Sequence, residues 1–334
     1  MSRKALILGG AGFIGVHLAR QMVEAGWRIH IADNFFRGQR DCELEEICRS
    51  HQVQFSECDL MNEEALALLG DDHDVIIHLA ARLGVQAVMR DPGGVLWENV
   101  ALLRNALMVA MAQRNLCRFV FSSSSEVMGA ATEQGAAPIP TPESASILMP
   151  SLDQPRSAYM ISKICGENMC LTSGLPVTIL RPHNIFGPRM GEDHVVPQLM
   201  RKCWSAEPGD SIEVFSPEHT RTFCYVADAA DMIRALLDTE IAIGSVYNVG
   251  NDFPEVTIRH LAKRLIAMSG KELVIKDMPI HAGSQLRRCP DISRARSDIG
   301  FEPQVSLDQG LRATQDWYVS HWSQSEATQK HVQK

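Results

Sequence analysis

The chain has 334 residues, of which 45% are hydrophobic and 22% are charged, and its formal net charge is -8. This composition excludes a disordered chain, a collagen and a coiled coil, and at roughly 150 residues per domain the length predicts two domains or one large α/β unit with an appended lobe. The acidic balance argues against a general nucleic-acid binder, which needs a basic surface.

The cysteine pattern and the apolar runs indicate the cellular compartment in which the protein is expected. Nine cysteines form no CxxC pair and no regular framework, so we interpret them as free thiols in a reducing cytoplasm and expect no metal site. The apolar run 5–16 follows Arg3 and Lys4 as in a signal peptide, but its four glycines indicate a strand and a loop. No apolar run approaches the roughly 18 residues that cross a bilayer. We therefore expect a soluble, cytoplasmic protein without a membrane or nucleic-acid partner.

Strands and helices alternate in the first half of the chain. The apolar patterns predict, in chain order, strand 5–8, helix 13–25, strand 28–32, a strand around 53–55, strand 75–79, helix 96–113, strand 119–121, helix 157–171 and strand 177–180. Such alternation is typical of βαβ units, so we expect an α/β fold with a parallel sheet and helices on both faces.

Two regions depart from this alternation. Segment 130–156 contains five prolines and is predicted to be a long loop, which in a compact domain is more often functional than not. After Arg181 the elements become shorter, up to a predicted final helix at 307–322. We therefore divide the chain into a first domain at 1–181, a second lobe at 182–322, from which some segments return to the first domain, and a polar tail at 323–334.

A glycine-rich turn links the first predicted strand to the first helix. Its sequence is Gly9-Gly10-Ala11-Gly12-Phe13-Ile14-Gly15. Glycines at this place permit a tight turn and let backbone N–H groups approach a pyrophosphate at the helix N-terminus. Asp33 ends the second strand, where an acid binds the ribose 2′-hydroxyl of a dinucleotide and repels a 2′-phosphate. The pattern predicts NAD rather than NADP, a preference that Arg37 weakens without reversing.

Two further strand ends suit a flat cofactor. Asp59-Leu60 follows the third strand, where an adenine edge could be held. His78-Leu79-Ala80-Ala81 ends the fourth strand with small residues, which allow close approach of a ring.

A tyrosine and a lysine stand four residues apart in the predicted helix 157–171. Tyr159 and Lys163 therefore share one helix face. An ammonium beside the phenol, with a cationic nicotinamide nearby, stabilises the phenolate and makes it a general base for a sugar or alcohol hydroxyl. Strand 119–121 runs into four serines and Glu126, and a serine hydroxyl there could share a proton with Tyr159 and hold the substrate oxygen.

Taken together, the motifs resemble the extended short-chain dehydrogenase/reductase family, and within it the nucleotide-sugar epimerases, dehydratases and decarboxylases. The motifs are GGAGFIG, the acid Asp33, HLAA, SSSSEVMG, YMISK, RPHNIFGPR, RTFCYV-D and YNVGN. The resemblance implies a Rossmann domain that holds NAD tightly and a smaller C-terminal α/β lobe that binds a nucleotide diphosphate sugar, most often a UDP-sugar. It also implies a homodimer through helices 96–113 and 157–171.

The resemblance also implies roles for individual residues. The implied catalytic residues are Ser124, Glu126, Tyr159 and Lys163. The implied cofactor-binding residues are Gly9, Gly12, Phe13, Ile14, Gly15, Asp33, Asn34, Asp59, Leu60, Leu79, Ala80, Ala81, Asn99, Ser122, Tyr159, Lys163 and Pro182. The implied substrate-binding residues are Ser124, Ser125, Arg156, Asn184, Arg189, Arg221 and Arg288. Met128 stands where the family usually has tyrosine, a change expected to alter packing near the nicotinamide.

The family's shared first step oxidises C4 of the sugar, and three reactions can follow: epimerisation, decarboxylation or 4,6-dehydration. Glu126 after two serines resembles the Thr-Ser-Glu of sugar-acid decarboxylases and of one class of dehydratase. Residues 81–85 resemble epimerases, and Ser125 replaces the second acid of the commoner dehydratases. We expect a C4 epimerase, with a UDP-glucuronate-type decarboxylase or a 4,6-dehydratase as alternatives. A non-catalytic NAD-binding sensor is a further alternative, against which the intact Tyr159–Lys163 pair argues.

Overall fold

The protein alternates strands and helices along most of its length, in a computed structural model that describes residues 2–280 and 284–332. The strands are β1 (Lys4–Leu8), β2 (Arg28–Asp33), β3 (Val53–Glu57), β4 (Val75–His78), β5 (Arg118–Ser122), β6 (Val177–Pro182), β7 (Ile185–Phe186), β8 (Ser211–Phe215), β9 (Thr220–Arg221), β10 (Cys224–Tyr225), β11 (Ser245–Val249), β12 (Val256–Thr257), β13 (Val274–Met278) and β14 (Arg287–Arg288). The helices are α1 (Phe13–Glu24), α2 (Cys42–Cys48), α3 (Glu63–Ala67), α4 (Val85–Arg90), α5 (Pro92–Met111), α6 (Gly129–Glu133), α7 (Ser157–Leu171), α8 (Val195–Ser205), α9 (Val226–Leu237), α10 (Ile258–Ser269), α11 (Ser293–Ile299) and α12 (Leu307–Val332).

The central sheet has seven strands in the order β11-β6-β5-β4-β1-β2-β3, and all its neighbours are parallel. The chain begins at β1, moves outward to β3, then crosses back to β4 and continues in the other direction. Crossovers between parallel strands are helical, and they cover both faces of the sheet. This doubly wound order confirms the predicted α/β fold and makes it a Rossmann fold. It also opens a crevice where the strand order reverses, between β1 and β4.

Each face of the sheet has its own apolar core because successive side chains of a strand point to opposite faces. Ile7 and Ile31 lie in the core that includes buried residues of α1 and α9. Leu6 and Leu8 lie in the other core, with α5 and α7. Both cores together fix the sheet as a rigid platform for the residues that follow each strand.

A third core forms the second lobe, from α8, β8, α10 and the first part of α12. Three small sheets accompany it: β10 with β7, β13 with β8, and β9 between β12 and β14. β11 falls within the range 182–322 but pairs with β6 in the central sheet. The chain thus leaves the platform after β6, returns to it at β11 and leaves it again.

Two elements differ from the sequence-based expectation. Helix α12 continues to Val332, past the predicted end of the last helix at residue 322. Residues 323–332 contain no glycine or proline, and their glutamines, glutamate, alanine and lysine are good helix formers. Segment 130–156 is mostly irregular as predicted, but it begins within α6. Among residues 2–280 and 284–332, no helix is both long enough and apolar enough to cross a membrane.

Candidate active site

A cavity of about 1070 Å³ lies at the carboxyl ends of the parallel strands. Residues that follow β1 to β6 form one wall, and residues of the second lobe form the other. The first wall includes Gly9, Asp33, Asp59, Leu79, Ser122 and Pro182, and the second includes Asn184, His194, Arg221 and Arg288. The cavity therefore spans the crevice expected to bind a dinucleotide in a doubly wound sheet and continues to the second lobe.

Most of the residues predicted to bind cofactor or substrate line this cavity. They are Gly9, Gly12, Phe13, Ile14, Gly15, Asp33, Asn34, Asp59, Leu60, Leu79, Ala80, Ala81, Ser122, Ser124, Ser125, Glu126, Arg156, Tyr159, Pro182, Asn184, Arg189, Arg221 and Arg288. Lys163 lies behind Tyr159, and Asn99 lies behind the wall.

The glycine loop has the geometry of a diphosphate cradle. Gly9 has φ of +81°, and a Cβ on it would come within 2.6 Å of the Ala80 nitrogen. A Cβ on Gly15 would come equally close to the carbonyl oxygen of Gly10. Helix α1 begins after Gly12 without a side-chain cap and without an acid in its first turn. Its N-terminal N–H groups therefore stay available at the cavity wall, where a phosphate fits.

Asp33 is held in place by the two loops around it. One carboxylate oxygen accepts the Ala11 N–H at 3.0 Å and the other accepts the Phe35 N–H at 2.8 Å. Burial raises the pKa of Asp33, and these two hydrogen bonds oppose that rise. Arg37 extends to the opposite wall, where its Nη2 would lie 3.3 Å from a Cβ on Gly191. The guanidinium of Arg37 is thus turned toward the lobe, and the residues present fit NAD.

Asn99 lies behind the cavity wall. Its side chain accepts the Arg82 N–H at 2.7 Å and donates to the Arg82 carbonyl at 3.0 Å and to the Ser162 hydroxyl at 3.2 Å. These bonds hold the segment after β4, and the contact of Asn99 with the cofactor stays a prediction.

Arg189 lines the cavity and also supports the glycine loop. Its guanidinium donates to the Asp41 carboxylate at 2.7 Å, to the Gln39 carbonyl at 3.1 Å and to the carbonyls of Ala11 and Gly12 at 3.4 Å. These donors bind the protein itself, and the contact of Arg189 with the substrate stays a prediction.

Tyr159, Ser124 and Lys163 meet where α7 passes the end of β5. Tyr159 hydrogen-bonds the Ser124 side chain, and burial, with Glu126 adding to it, raises the pKa of the phenol. The Lys163 ammonium donates to the Ser122 carbonyl at 2.7 Å, and burial lowers its pKa to about 8. The hydroxyl and the phenol are thus hydrogen-bonded to each other at the cavity wall, and the ammonium lies behind the phenol ring.

Glu126 lies between two arginines. Its Oε1 is 3.7 Å from Nη2 of Arg156 and 3.9 Å from Nη2 of Arg288. Arg288 also donates from Nε to Gln285 at 2.8 Å, and burial lowers the pKa of its guanidinium. Both separations from Glu126 are longer than a hydrogen bond. Two guanidinium groups thus stand beside Tyr159, where they suit an anionic group on the substrate, and the Glu126 and Glu133 carboxylates both act on Arg288.

Arg221 and Asn184 support the lobe side of the cavity. Arg221 donates to the carbonyls of Thr220 and Gln285, each at 2.7 Å, and burial lowers its pKa to about 9. Asn184 has φ of 44° and donates to the Thr222 carbonyl at 2.9 Å. Both residues line the cavity while holding the backbone around it.

A buried ion pair behind the serine segment is absent from the sequence-based site. Arg181 makes two hydrogen bonds of 2.8 Å to Glu167, which also accepts the Ser123 hydroxyl at 2.6 Å. Arg181 donates in addition to the Met128 sulfur at 3.4 Å. The sequence feature that could have indicated this ion pair is the acid Glu167, which stands one helical turn after Lys163 in α7. In the part of the chain that the structure describes, no group of three or more His, Cys, Asp or Glu side chains is arranged to hold a metal ion.

Comparison with known proteins identifies the family of this chain. Residues 5–250 match the NAD dependent epimerase/dehydratase family. The chain is 32% identical over 328 residues to the UDP-N-acetyl-alpha-D-glucosaminuronate decarboxylase of Bacillus cytotoxicus, covering 95% of this chain and 98% of the relative. An epimerase of Methanothermobacter thermautotrophicus superposes with a TM-score of 0.84 at 25% identity, covering 96% of this chain and 94% of the other.

A third similar protein has a solved structure with bound ligands. The UDP-glucuronic acid 4-epimerase of Bacillus cereus, in complex with UDP-glucuronic acid and NAD, superposes with a TM-score of 0.79 at 27% identity, covering 94% of this chain and 98% of the other. The match to the family model and these likenesses confirm the resemblance seen in the sequence. The chain belongs to the NAD-dependent epimerase/dehydratase family, and its cofactor is NAD.

Proposed function

We propose that the protein decarboxylates a nucleotide diphosphate sugar, a UDP-hexuronate, through a 4-keto intermediate. The observation that carries this proposal is the placement of Glu126 between Arg156 and Arg288, beside Tyr159. Two guanidinium groups next to Tyr159 suit a carboxylate on the sugar. The Bacillus cytotoxicus relative, whose name describes a uronate decarboxylase, supports the same reading. The sequence alone favours epimerisation, and the charges around Glu126 shift our preference to decarboxylation.

The first step removes the C4 hydroxyl proton. Tyr159 accepts it, and the Ser124 hydroxyl, which hydrogen-bonds the phenol, holds the sugar oxygen. NAD, held by the glycine loop and Asp33, would supply hydride-transfer chemistry at C4 when bound. Because burial and Glu126 raise the pKa of Tyr159, deprotonation of the phenol depends on positive charge close to it. Lys163 provides such a charge from behind the ring.

The second step breaks the bond between C5 and the carboxylate. A ketone at C4 makes the substrate a β-keto acid, so the bonding electrons pass to the C4 oxygen as CO2 leaves. The phenol of Tyr159 and the hydroxyl of Ser124 stabilise the resulting enolate by hydrogen bonds. Glu126 lies on the same wall, and its carboxylate takes a proton from solvent water and passes it to C5. The carbonyl at C4 is then reduced, and Tyr159 returns the proton to its oxygen.

A panel of substrates tests the proposal. The purified protein is incubated separately with UDP-glucuronate, UDP-N-acetylglucosaminuronate, UDP-glucose and GDP-mannose. The molecular masses of the products are then measured by mass spectrometry. Decarboxylation gives a product lighter by one CO2 from a uronate and no such product from a neutral sugar. A uronate isomer of unchanged mass would instead support the second candidate, a C4 epimerase, which the likeness to the Bacillus cereus UDP-glucuronic acid 4-epimerase favours.

We also propose that two chains form a dimer through α5 and α7, which pack side by side. Their outer surface carries Trp97, Met108 and Met111 on α5 and Leu171 on α7, which are 63%, 44%, 59% and 50% exposed. A cluster of large apolar side chains at helical spacing is typical of a helix–helix interface between subunits.

A further inference from the structure

Arg189 joins three segments around the glycine loop. Its side chain is 2% exposed and pairs with Asp41, which lies just before α2. The same guanidinium donates to the carbonyls of Ala11, Gly12 and Gln39. One side chain thus connects the segment after β7, the glycine loop after β1 and the loop after β2. These are the segments that surround the adenosine end of the cavity.

The two carboxylate oxygens of Asp41 accept hydrogen bonds from two different segments. One oxygen accepts the Leu44 N–H at 3.0 Å and caps α2, and the other accepts from Arg189 at 2.7 Å. The start of α2 is therefore attached to the segment after β7. A displacement of the loop after β2, which carries the cofactor-facing residues Asn34 and Arg37, would strain this attachment.

Helix α12 contacts both α2 and the segment after β7. Trp317 donates from its indole to the Glu43 carboxylate, in the first turn of α2. The next residue, Tyr318, donates its hydroxyl to the carbonyl of Met190. One turn on, the Trp322 indole donates to Glu192 at 2.8 Å. Consecutive residues of α12 therefore hold α2 on one side and the segment after β7 on the other.

We propose that Arg189, Asp41, Trp317, Tyr318 and Trp322 form a latch that sets the rate at which NAD leaves the protein. Release of the dinucleotide requires the glycine loop and the loop after β2 to separate from the segment after β7. Arg189 and the bracing contacts of α12 oppose that separation. The latch concerns the cofactor alone, so it holds whichever reaction follows oxidation at C4. Arg189 acts through the backbone of the glycine loop and is a positioning residue.

Three variants test the latch. Asp41→Asn keeps the cap on α2, because asparagine caps as well as aspartate, but removes the charge that faces Arg189. Tyr318→Phe keeps the buried ring and removes only the hydroxyl. Ser323→Ala is the matched control on α12, because its exposed hydroxyl bonds only the carbonyl of Val319 in its own helix. For each, the loaded protein is separated from free NAD and the bound fraction is followed over time.

We expect Asp41→Asn and Tyr318→Phe each to raise the rate constant of NAD release about tenfold, since a charge-assisted or buried hydrogen bond contributes on the order of that factor. Ser323→Ala should release NAD at the wild-type rate. The melting temperature of the cofactor-free protein separates a latch from general damage. It should stay close to the wild-type value in Tyr318→Phe and Ser323→Ala, and it should fall in Asp41→Asn because the buried Arg189 loses its charged partner. Release from Tyr318→Phe within twofold of wild type would overturn the proposal. So would faster release from Tyr318→Phe that comes with a clearly lower melting temperature. Since no sugar is present, failure of the proposed decarboxylation would not affect this result.

Discussion

The Lys163 nitrogen lies 5.8 Å from the centre of the Tyr159 ring while donating a hydrogen bond to the carbonyl of Ser122. This contact attaches α7 to the end of β5, the strand that leads into Ser124. Burial lowers the pKa of Lys163 to about 8, and it raises the pKa of Tyr159. The Lys163 ammonium behind the phenol therefore loses its proton not far above neutral pH.

The rate should fall as the pH rises through about 8, because Lys163 is charged below that pH and loses its proton above it. The ammonium stabilises the phenolate, so its loss weakens the base. The measurement is the pH dependence of kcat/KM for the sugar nucleotide. Lys163→Met should lower kcat at least about hundredfold and remove this limb of the profile. A wild-type profile that stays flat or rises between pH 8 and about 9 would contradict this role.

Glu126→Gln should slow turnover at least about 10²-fold while leaving oxidation at C4 measurable, because the amide cannot deliver a proton to C5. Absorbance of the reduced cofactor in a single turnover reports the oxidation, and product formation reports the later steps. Glu24→Gln serves as the control, since Glu24 is an exposed acid at the end of α1, outside the cavity wall. Equal effects of the two substitutions would remove Glu126 from the chemistry.

Glu167→Gln should lower the free energy of unfolding by about 3–5 kcal/mol, because it leaves the buried Arg181 guanidinium without its charged partner. Glu57→Gln is the control, because Glu57 pairs with Arg40 at 3.4 Å on the surface and should cost less than about 1 kcal/mol. Denaturant unfolding of the three proteins measures both values. Similar losses in the two variants would show that burial of the Glu167–Arg181 pair is not what stabilises the site.

Trp97→Glu should convert a dimer into a monomer, since the substitution places a charge on the exposed apolar face of α5. Sedimentation velocity measures the oligomeric state, with Val274→Glu as the control, because Val274 is an exposed apolar residue of β13, which pairs with β8 in the second lobe. A wild-type protein that sediments at 37 kDa at all concentrations would contradict the dimer.

The sequence predicts β1, β4, β5 and β6 well because these strands are buried on both faces and read as mostly apolar runs. The edge strand β3 is only partly buried, and β11, at the other edge, is not among the predicted strands. The sequence predicts element ends less well. Helix α5 begins at Pro92, four residues before the predicted start, because Asp91 caps it by accepting the Gly94 N–H. Gly93 and Gly94 dilute the periodicity there, although proline in the first turn is itself a start signal.

The site residues show a second limit of the sequence. A motif fixes where Arg189 stands in the chain, but not that Asp41, 148 residues away, accepts its hydrogen bond. The same applies to Asn99, whose amide is satisfied by Arg82 and Ser162. Motifs therefore predict the cavity and the Tyr159–Lys163 pair, whereas long-range polar contacts behind the wall become visible only in the fold.

Release of CO2 from UDP-glucuronate or UDP-N-acetylglucosaminuronate labelled at the carboxyl carbon tests the proposed reaction most directly. The wild-type protein should release labelled CO2 in step with a UDP-pentose product, and Tyr159→Phe should release it at least about 10²-fold more slowly. Label retained in a new isomer of the substrate, separated from it by chromatography, would contradict decarboxylation and establish epimerisation in its place.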